Sequence, residues 1–232
     1  MFLYYRFYPV DILIIPAIIF ALWAQFRVKS AYQKYAKIRT ESGITGADVA
    51  RKIMMRAEVK NVNIEAIPGE LTDHYDPTKK VLRLSSEVYS GTSISALGIA
   101  AHEVGHAIQD AKDYKYMRLR HLMYPISSIG STLAFPLFFI GLIFNFTFSA
   151  ILIRVGIWMF SAAVAFTVVT LPVEFDASRR AIQALEAGGF MSREEISGVR
   201  YVLGAAAMTY VAAAATAVIQ LLRLIMIARS RN

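Results

Sequence analysis

Four stretches of the chain stay apolar long enough to cross a lipid bilayer as helices, which takes about 20 residues each. They cover residues 8–26, 124–144, 150–171 and 202–227. The first is followed at once by Arg27 and Lys29 and lacks a small-x-small cleavage pattern, so it reads as a retained anchor rather than a removable leader. The short turn NFTFS separates the second and third, and the fourth is rich in alanine, which suits close helix packing. Between the first two segments the pattern becomes polar and mixed, over residues 27–121. Thr45 and Asp48 form a capping box ahead of the helix ADVARKIMMRAEV, and NVNIEAI alternates as a strand does. The turn residues DHYDPTKK then lead into a second short strand, KVLRLS. Thr92 or Ser93 caps a helix, SISALGIAAHEVGHAIQD, that runs to about Lys112. After the third apolar segment, Pro172 suits the opening of a new helical turn, and Ser192 with Glu195 forms another capping box before the fourth.

The expected fold is therefore a mostly α-helical integral membrane protein. It has about four transmembrane helices and a small α+β region with a short edge sheet. In chain order these are an anchor (1–26), the α+β region (27–121), a transmembrane hairpin (122–171), a loop-helix (172–201) and a last helix with its tail (202–232).

Composition supports the membrane reading. Hydrophobic residues make up 56% of the 232, above the roughly 45–50% of soluble domains, and the mean hydropathy is +0.45. There is no cysteine, which excludes disulfides, thiolate metal ligands and cysteine nucleophiles together. The net charge of +8 is carried largely beside the apolar segments. Arg27, Lys29, Lys34, Lys37 and Arg39 follow the first; Lys112, Lys115, Arg118 and Arg120 precede the second; Arg179, Arg180, Arg193 and Arg200 follow the third. Positive charge stays cytoplasmic, so these regions face the cytoplasm and the N-terminus lies outside. Two spans separate residues 27–121 from 172–201, so both face one compartment and can share a site. Arg229 and Arg231 in the tail run against this scheme, which leaves partial crossing of the fourth segment open. With no internal repeat, zinc-finger spacing or basic–aromatic platform, no nucleic-acid partner is expected.

The chemistry concentrates in HEVGH. Residues four apart share a helix face, so His102 and His106 can turn ring nitrogens toward one ion, while Glu103 stands beside the first without binding it. That is the H-E-x-x-H arrangement of zinc metallopeptidases, in which the glutamate takes the proton of a zinc-polarised water. Gly105 between them lets another segment approach closely. The alternative is a surface helix with two solvated histidines, but the uncharged run LGIAAHE argues for burial. A catalytic zinc needs a third protein ligand. His121 stands at a basic membrane edge and His74 sits in the turn LTDHYDP, bonded to its neighbours. Among acids, Glu174 after the third segment stands out, with Asp176 its competitor. Arg179, Arg180 and His74 are candidates to steady a developing oxyanion, although salt-bridging suits the two arginines better. An extended peptide substrate could add to KVLRLS as an edge strand.

The runs LTDHYDPTKKVLRLS, AAHEVGHAIQ, LPVEFDASRRAI and AAAMTYVAAAATA resemble the YugP-like membrane zinc metallopeptidases, also called neutral zinc metallopeptidases, across nearly the whole chain. More distantly, the chain is similar to HtpX-like proteases, where a glutamate after a transmembrane hairpin is the third zinc ligand. Matched here, that glutamate is Glu174. The HtpX pattern continues with alanine and aspartate three and four positions on. This chain has Ala177 but Ser178, and Asp176 is a candidate to replace the missing acid behind the ligands. The resemblance implies an endopeptidase of a bacterial cytoplasmic membrane, with one Zn²⁺ per chain and protein or peptide substrates that include membrane proteins. Three rivals are an intramembrane site-2-type protease, a non-catalytic zinc-stabilised scaffold and a transporter. The charges at Asp110, Lys112, Asp113 and Lys115 pull the HEVGH helix to the surface and count against the first. Glu103 counts against the second. The apolar segments carry few ionisable groups (Asp11, Arg154 and Arg223, all near ends or able to snorkel), which counts against the third.

Overall fold

The computed structural model describes residues 8–144 and 147–230. The first seven residues of the expected anchor, Asn145 and Phe146 of the NFTFS turn, and Arg231 of the tail lie outside the described residues. A 3₁₀ turn, Pro9–Leu13, leads into α1 (Ile14–Ala36). There follow α2 (Gly46–Arg56), β1 (Asn63–Ile67), β2 (His74–Asp76), β3 (Val81–Ser85), α3 (Ser86–Ser90) and α4 (Ile94–Ala111). Three long helices complete the chain: α5 (Lys115–Ile143), α6 (Ser149–Gly188) and α7 (Arg193–Arg229). The four helical stretches long and apolar enough to cross a membrane are Pro9–Ala36, α5, α6 and α7; α4, which carries HEVGH, is not one of them.

The chain divides into two compact units. One comprises Met1–Trp23, Leu119–Leu171 and Tyr210–Asn232. Its core is aromatic and aliphatic, with Phe138, Ile153, Phe160, Val164 and Leu224 buried together. It also holds an ion pair that the snorkelling reading did not anticipate. Arg223 Nε donates to Asp11 Oδ1 at 2.9 Å, and the Asp11 carboxylate is also bonded by the Tyr8 amide at 3.0 Å. Two polar side chains in an apolar setting lower their cost by pairing with each other. The pair joins the start of the first helical stretch to the last turns of α7.

The other unit comprises Ala24–Arg118 and Pro172–Thr209. Its sheet has the order β1-β3-β2, with β1 parallel and β2 antiparallel to β3. This corrects two readings. DHYD is not a turn but contains β2, paired His74↔Arg83, Tyr75↔Leu82 and Asp76↔Val81. The turn is the tight stretch that follows, in which Asp76 Oδ1 accepts the amides of Thr78 and Lys79 at 3.0 Å each. KVLRLS, expected at the edge, is the central strand, and its burial on both faces is what a middle strand requires. β2 is the edge. A strand of three residues is too short to show an alternation in sequence.

The helices also extend beyond expectation. Pro172 does not open a new helix: α6 runs through it to Gly188. A proline inside a helix removes one backbone bond, and here packing outweighs that loss. Val173, Ala177, Ala181 and Leu185 recur every four residues and are all fully buried in the core of this unit. The helix expected through Val59 stops instead at Arg56, with Glu58 in the left-handed region (φ 55°). Ser93 is the cap of α4, its hydroxyl accepting the Ala96 amide at 3.2 Å.

At the start of α7 the predicted capping box is present: Glu195 N donates to Ser192 Oγ at 3.3 Å and Ser192 N to Glu195 Oε2 at 2.7 Å. Glu195 does more than cap, since its other oxygen accepts the Glu41 amide at 2.7 Å, from the segment after α1. Ser192→Ala is therefore expected to cost about 1 kcal/mol. Glu195→Ala, which releases two amides, that of Glu41 being the tertiary contact, should cost about 2–3 kcal/mol. Denaturant titration of the detergent-solubilised protein measures both, and equal losses would show that the Glu41 contact contributes nothing.

Candidate metal centre

The centre depends on how closely α6 approaches α4. A Cβ added to Gly105 would lie 2.4 Å from the Ala177 carbonyl oxygen, so only glycine lets the α6 backbone press against α4 at this height. That contact sets Glu174, one turn before Ala177, opposite the two histidines. Glu174 Oε2 lies 3.4 Å from His102 Nε2 and 3.6 Å from His106 Nε2. All three donor atoms fall within 4.8 Å of one another. Ligands held about 2.1 Å from one zinc ion at tetrahedral angles stand about 3.4 Å apart, close to both carboxylate–imidazole separations. The imidazoles meet edge to face with centroids 4.9 Å apart. Glu174 and His106 are buried and His102 is partly so, which suits a nitrogen–oxygen centre with one accessible side.

The outward-facing nitrogens are held by groups that sequence reading overlooked. Gln109 Nε2 donates to the Val173 carbonyl at 2.8 Å and to Asp176 Oδ2 at 3.0 Å, which leaves its oxygen for His106 Nδ1 at 3.0 Å. His106 Nδ1 is therefore the protonated nitrogen, and Nε2 presents its lone pair to the centre. His102 Nδ1 meets Ser178 Oγ at 3.1 Å. The serine at the position where the HtpX pattern has aspartate thus takes up a place behind the ligand, and a hydroxyl serves there in place of a carboxylate. Asp176 also stands behind the centre, but it acts through Gln109 and is bound by both Arg179 and Arg180. Helical spacing held a signal for these residues: Gln109 is three after His106, and Ser178 four after Glu174.

Glu103 is buried, and its Oε2 accepts the backbone amide of Tyr75 at 3.0 Å. That amide comes from β2, the edge strand, and points at the glutamate rather than into the ladder. The strand is fastened in turn, because the Tyr75 hydroxyl donates to Asp110 Oδ2 at 2.6 Å and Lys80 pairs with the same oxygen. Burial pushes the Tyr75 phenol up, and the Asp110 carboxylate pushes it further, so the hydroxyl remains a donor. Asp73 lies close by. Burial pushes its carboxyl up against the opposing pull of the Ser85 amide and hydroxyl, and the Glu103 charge adds to the rise.

Other candidates are placed elsewhere. His74 is exposed on β2, with Nδ1 at the Thr72 carbonyl (2.8 Å) and Nε2 toward Arg83 (3.3 Å), the neighbour-bonded role its turn suggested. His121 belongs to the other unit. Arg179 and Arg180 are engaged by Asp176, and Arg180 also lies over the Tyr114 ring, 5.6 Å from its centroid. The salt-bridging expected of these two arginines is present in both.

Removing the groups behind the histidines should weaken metal binding by about 10–100-fold while the ligands remain. Gln109→Leu and Ser178→Ala, titrated with zinc against a competing chelator, test this; unchanged affinity in both would remove these residues from the centre. In comparisons with known proteins, residues 10–229 match the family model described as "Putative neutral zinc metallopeptidase". The chain is 48% identical over 215 residues to the "Putative membrane protease YugP" of Bacillus subtilis (strain 168), an overlap of 93% of this chain and 94% of that protein. No solved structure gives a significant match. With the family model and this relative each spanning almost the whole chain, the protein belongs to the neutral zinc metallopeptidase family.

Proposed function

We propose that this protein is a membrane-anchored zinc endopeptidase whose centre is His102, His106 and Glu174 and whose general base is Glu103. The observation that carries this reading is the convergence of three nitrogen and oxygen donors, with buried Glu103 next in sequence to one of them. A zinc ion held by the three donors would supply a Lewis acid that acidifies water and polarises the scissile carbonyl. Glu103, fixed by the Tyr75 amide, takes a proton from the attacking water and returns it to the departing amine. His106 keeps its Nε2 lone pair inward because the Gln109 carbonyl accepts from its Nδ1, and the Ser178 hydroxyl, able to accept in the same way, stands at His102 Nδ1. An extended substrate cannot add to KVLRLS, which is paired on both sides, and the outward amide of β2 at Tyr75 is already given to Glu103.

One zinc per chain follows from the single donor cluster among the described residues. The basic residues from Arg27 to Arg39 and from Lys112 to Arg120 support a cytoplasmic active site in a bacterial cytoplasmic membrane, acting on proteins or peptides that include membrane proteins. A scaffold would have no use for a buried glutamate held beside the donors, and α4 is not a spanning helix of the site-2 kind.

Elemental analysis paired with a peptide-cleavage assay tests the assignment. Glu103→Gln should retain zinc and lose about 10²–10⁴-fold in kcat. Glu174→Ala should lose both zinc and turnover. Undiminished turnover in Glu103→Gln would take the general-base role from it, and full zinc occupancy in Glu174→Ala would place the third ligand elsewhere.

A further inference from the structure

Glu103 is held by a strand that has little backbone of its own to hold it. β2 is three residues long, and its Tyr75 amide is given to Glu103 Oε2 at 3.0 Å. Amides alternate in direction along an antiparallel strand, so only His74 and Asp76 turn theirs toward β3. Side chains secure the exit of the strand, where Arg83 pairs with Asp76 at 3.1 Å and the Tyr75 hydroxyl reaches Asp110. At the entry the chain arrives from residues 68–72, all exposed, with Gly69 (φ 103°) and Leu71 (φ 55°) in the left-handed region. That loop brings no packing to the strand. The tie to the core there is Asp73, whose Oδ1 accepts the Ser85 amide at 2.7 Å while the Ser85 hydroxyl lies 3.1 Å from each carboxylate oxygen. Ser85 ends β3 and is fully buried, which makes it a fixed point. It also stands at the N-cap of α3, yet its hydroxyl caps nothing and is given to Asp73 instead. The clasp forms against opposition, because burial raises the Asp73 carboxyl and the Glu103 charge raises it further. Stability alone gives no reason to bury a second acid near Glu103.

We propose that Asp73 is a positioning residue for the general base: by clasping Ser85 it fixes the entry of β2, keeps the Tyr75 amide on Glu103 Oε2, and so leaves Oε1 as the oxygen that takes the proton from water. The proposal rests on the metallopeptidase reading and adds a residue to that site. Asp73 acts here through geometry, not through its charge, and asparagine can make the same clasp, since its oxygen accepts from Ser85 and its amide can donate to the hydroxyl.

The test uses the full-length, zinc-loaded protein in detergent, with fluorescein-labelled casein as substrate. Asp73→Ala should lower kcat by about 10–100-fold, the cost of a misplaced catalytic group, with KM and zinc affinity within about twofold of wild type. Asp73→Asn should stay within about threefold of wild type in kcat. Ser85→Ala, which deprives α3 of no cap, should lower kcat by about threefold or more and add nothing further to Asp73→Ala, as expected of two residues in one contact. A second measurement needs no turnover: hydrogen exchange at the Tyr75 amide, read by mass spectrometry, should quicken by about tenfold in Asp73→Ala and stay slow in Asp73→Asn. Asp73→Asn as impaired as Asp73→Ala overturns the proposal, because charge would then be what matters. Unchanged Tyr75 exchange in Asp73→Ala overturns it as well. Where Asp73→Ala does not fold, Ser85→Ala decides by the same two readings. Absence of zinc-dependent cleavage would count against the peptidase reading, and the exchange measurement would then decide the clasp by itself.

Discussion

The close approach of two backbones at Gly105 and Ala177 is the constraint on which the rest of this centre depends. A metal site built from two helices needs their relative height fixed to within a fraction of an ångström, because the donor spacing leaves no slack. Ordinary side-chain packing between helices keeps axes 8–10 Å apart and tolerates sliding. A glycine under a carbonyl removes that freedom. Once Ala177 sits against Gly105, the residues around it on α6 have little choice: Glu174 meets the two Nε2 atoms and Ser178 meets His102. The fully buried ladder of Val173, Ala177, Ala181 and Leu185 holds that register along the helix.

Around this contact the polar groups form a closed set. A buried imidazole beside a carboxylate is costly unless each nitrogen has a partner. Here His106 is satisfied through Gln109, Gln109 through Val173 and Asp176, and Asp176 through two arginines toward the surface. The chain of bonds therefore runs from the donors to solvent-facing charge, and it selects the histidine tautomer that leaves a lone pair free for an ion. On the far side, β2 performs the equivalent service for Glu103, and Asp110 and Lys80 tie the strand to α4. Three elements distant in sequence thus each hold one wall of the site.

The unit rich in spanning segments is organised on another principle. Its polar anchor is the Asp11–Arg223 pair, which fastens the first and last helices at one end. A buried ion pair is a poor source of stability but a strong specifier of partner and register. In an apolar surrounding, each residue lowers the other's cost.

Much of this was legible without coordinates. Hydropathy found four spanning helices because a membrane demands about 20 apolar residues whatever their packing. The H-E-x-x-H spacing assembled His102, Glu103 and His106 because helix periodicity is local. The Ser192 cap was likewise visible, since both partners lie within one turn. The failures share a cause. β2 was read as a turn and β3 as an edge because three residues carry no period and strand order is decided by distant pairing. Pro172 was read as a break because the buried ladder that carries α6 past it faces α4, some seventy residues earlier in the chain. Gln109 passed unnoticed, and Ser178 was read only as a missing acid, because each meets its histidine only when the two helices touch. The sequence by itself determined which residues could bind and activate, through spacing within single helices. The tertiary structure alone decided which groups stand behind them, because hydrogen bonds between separate elements exist only after the backbones have met.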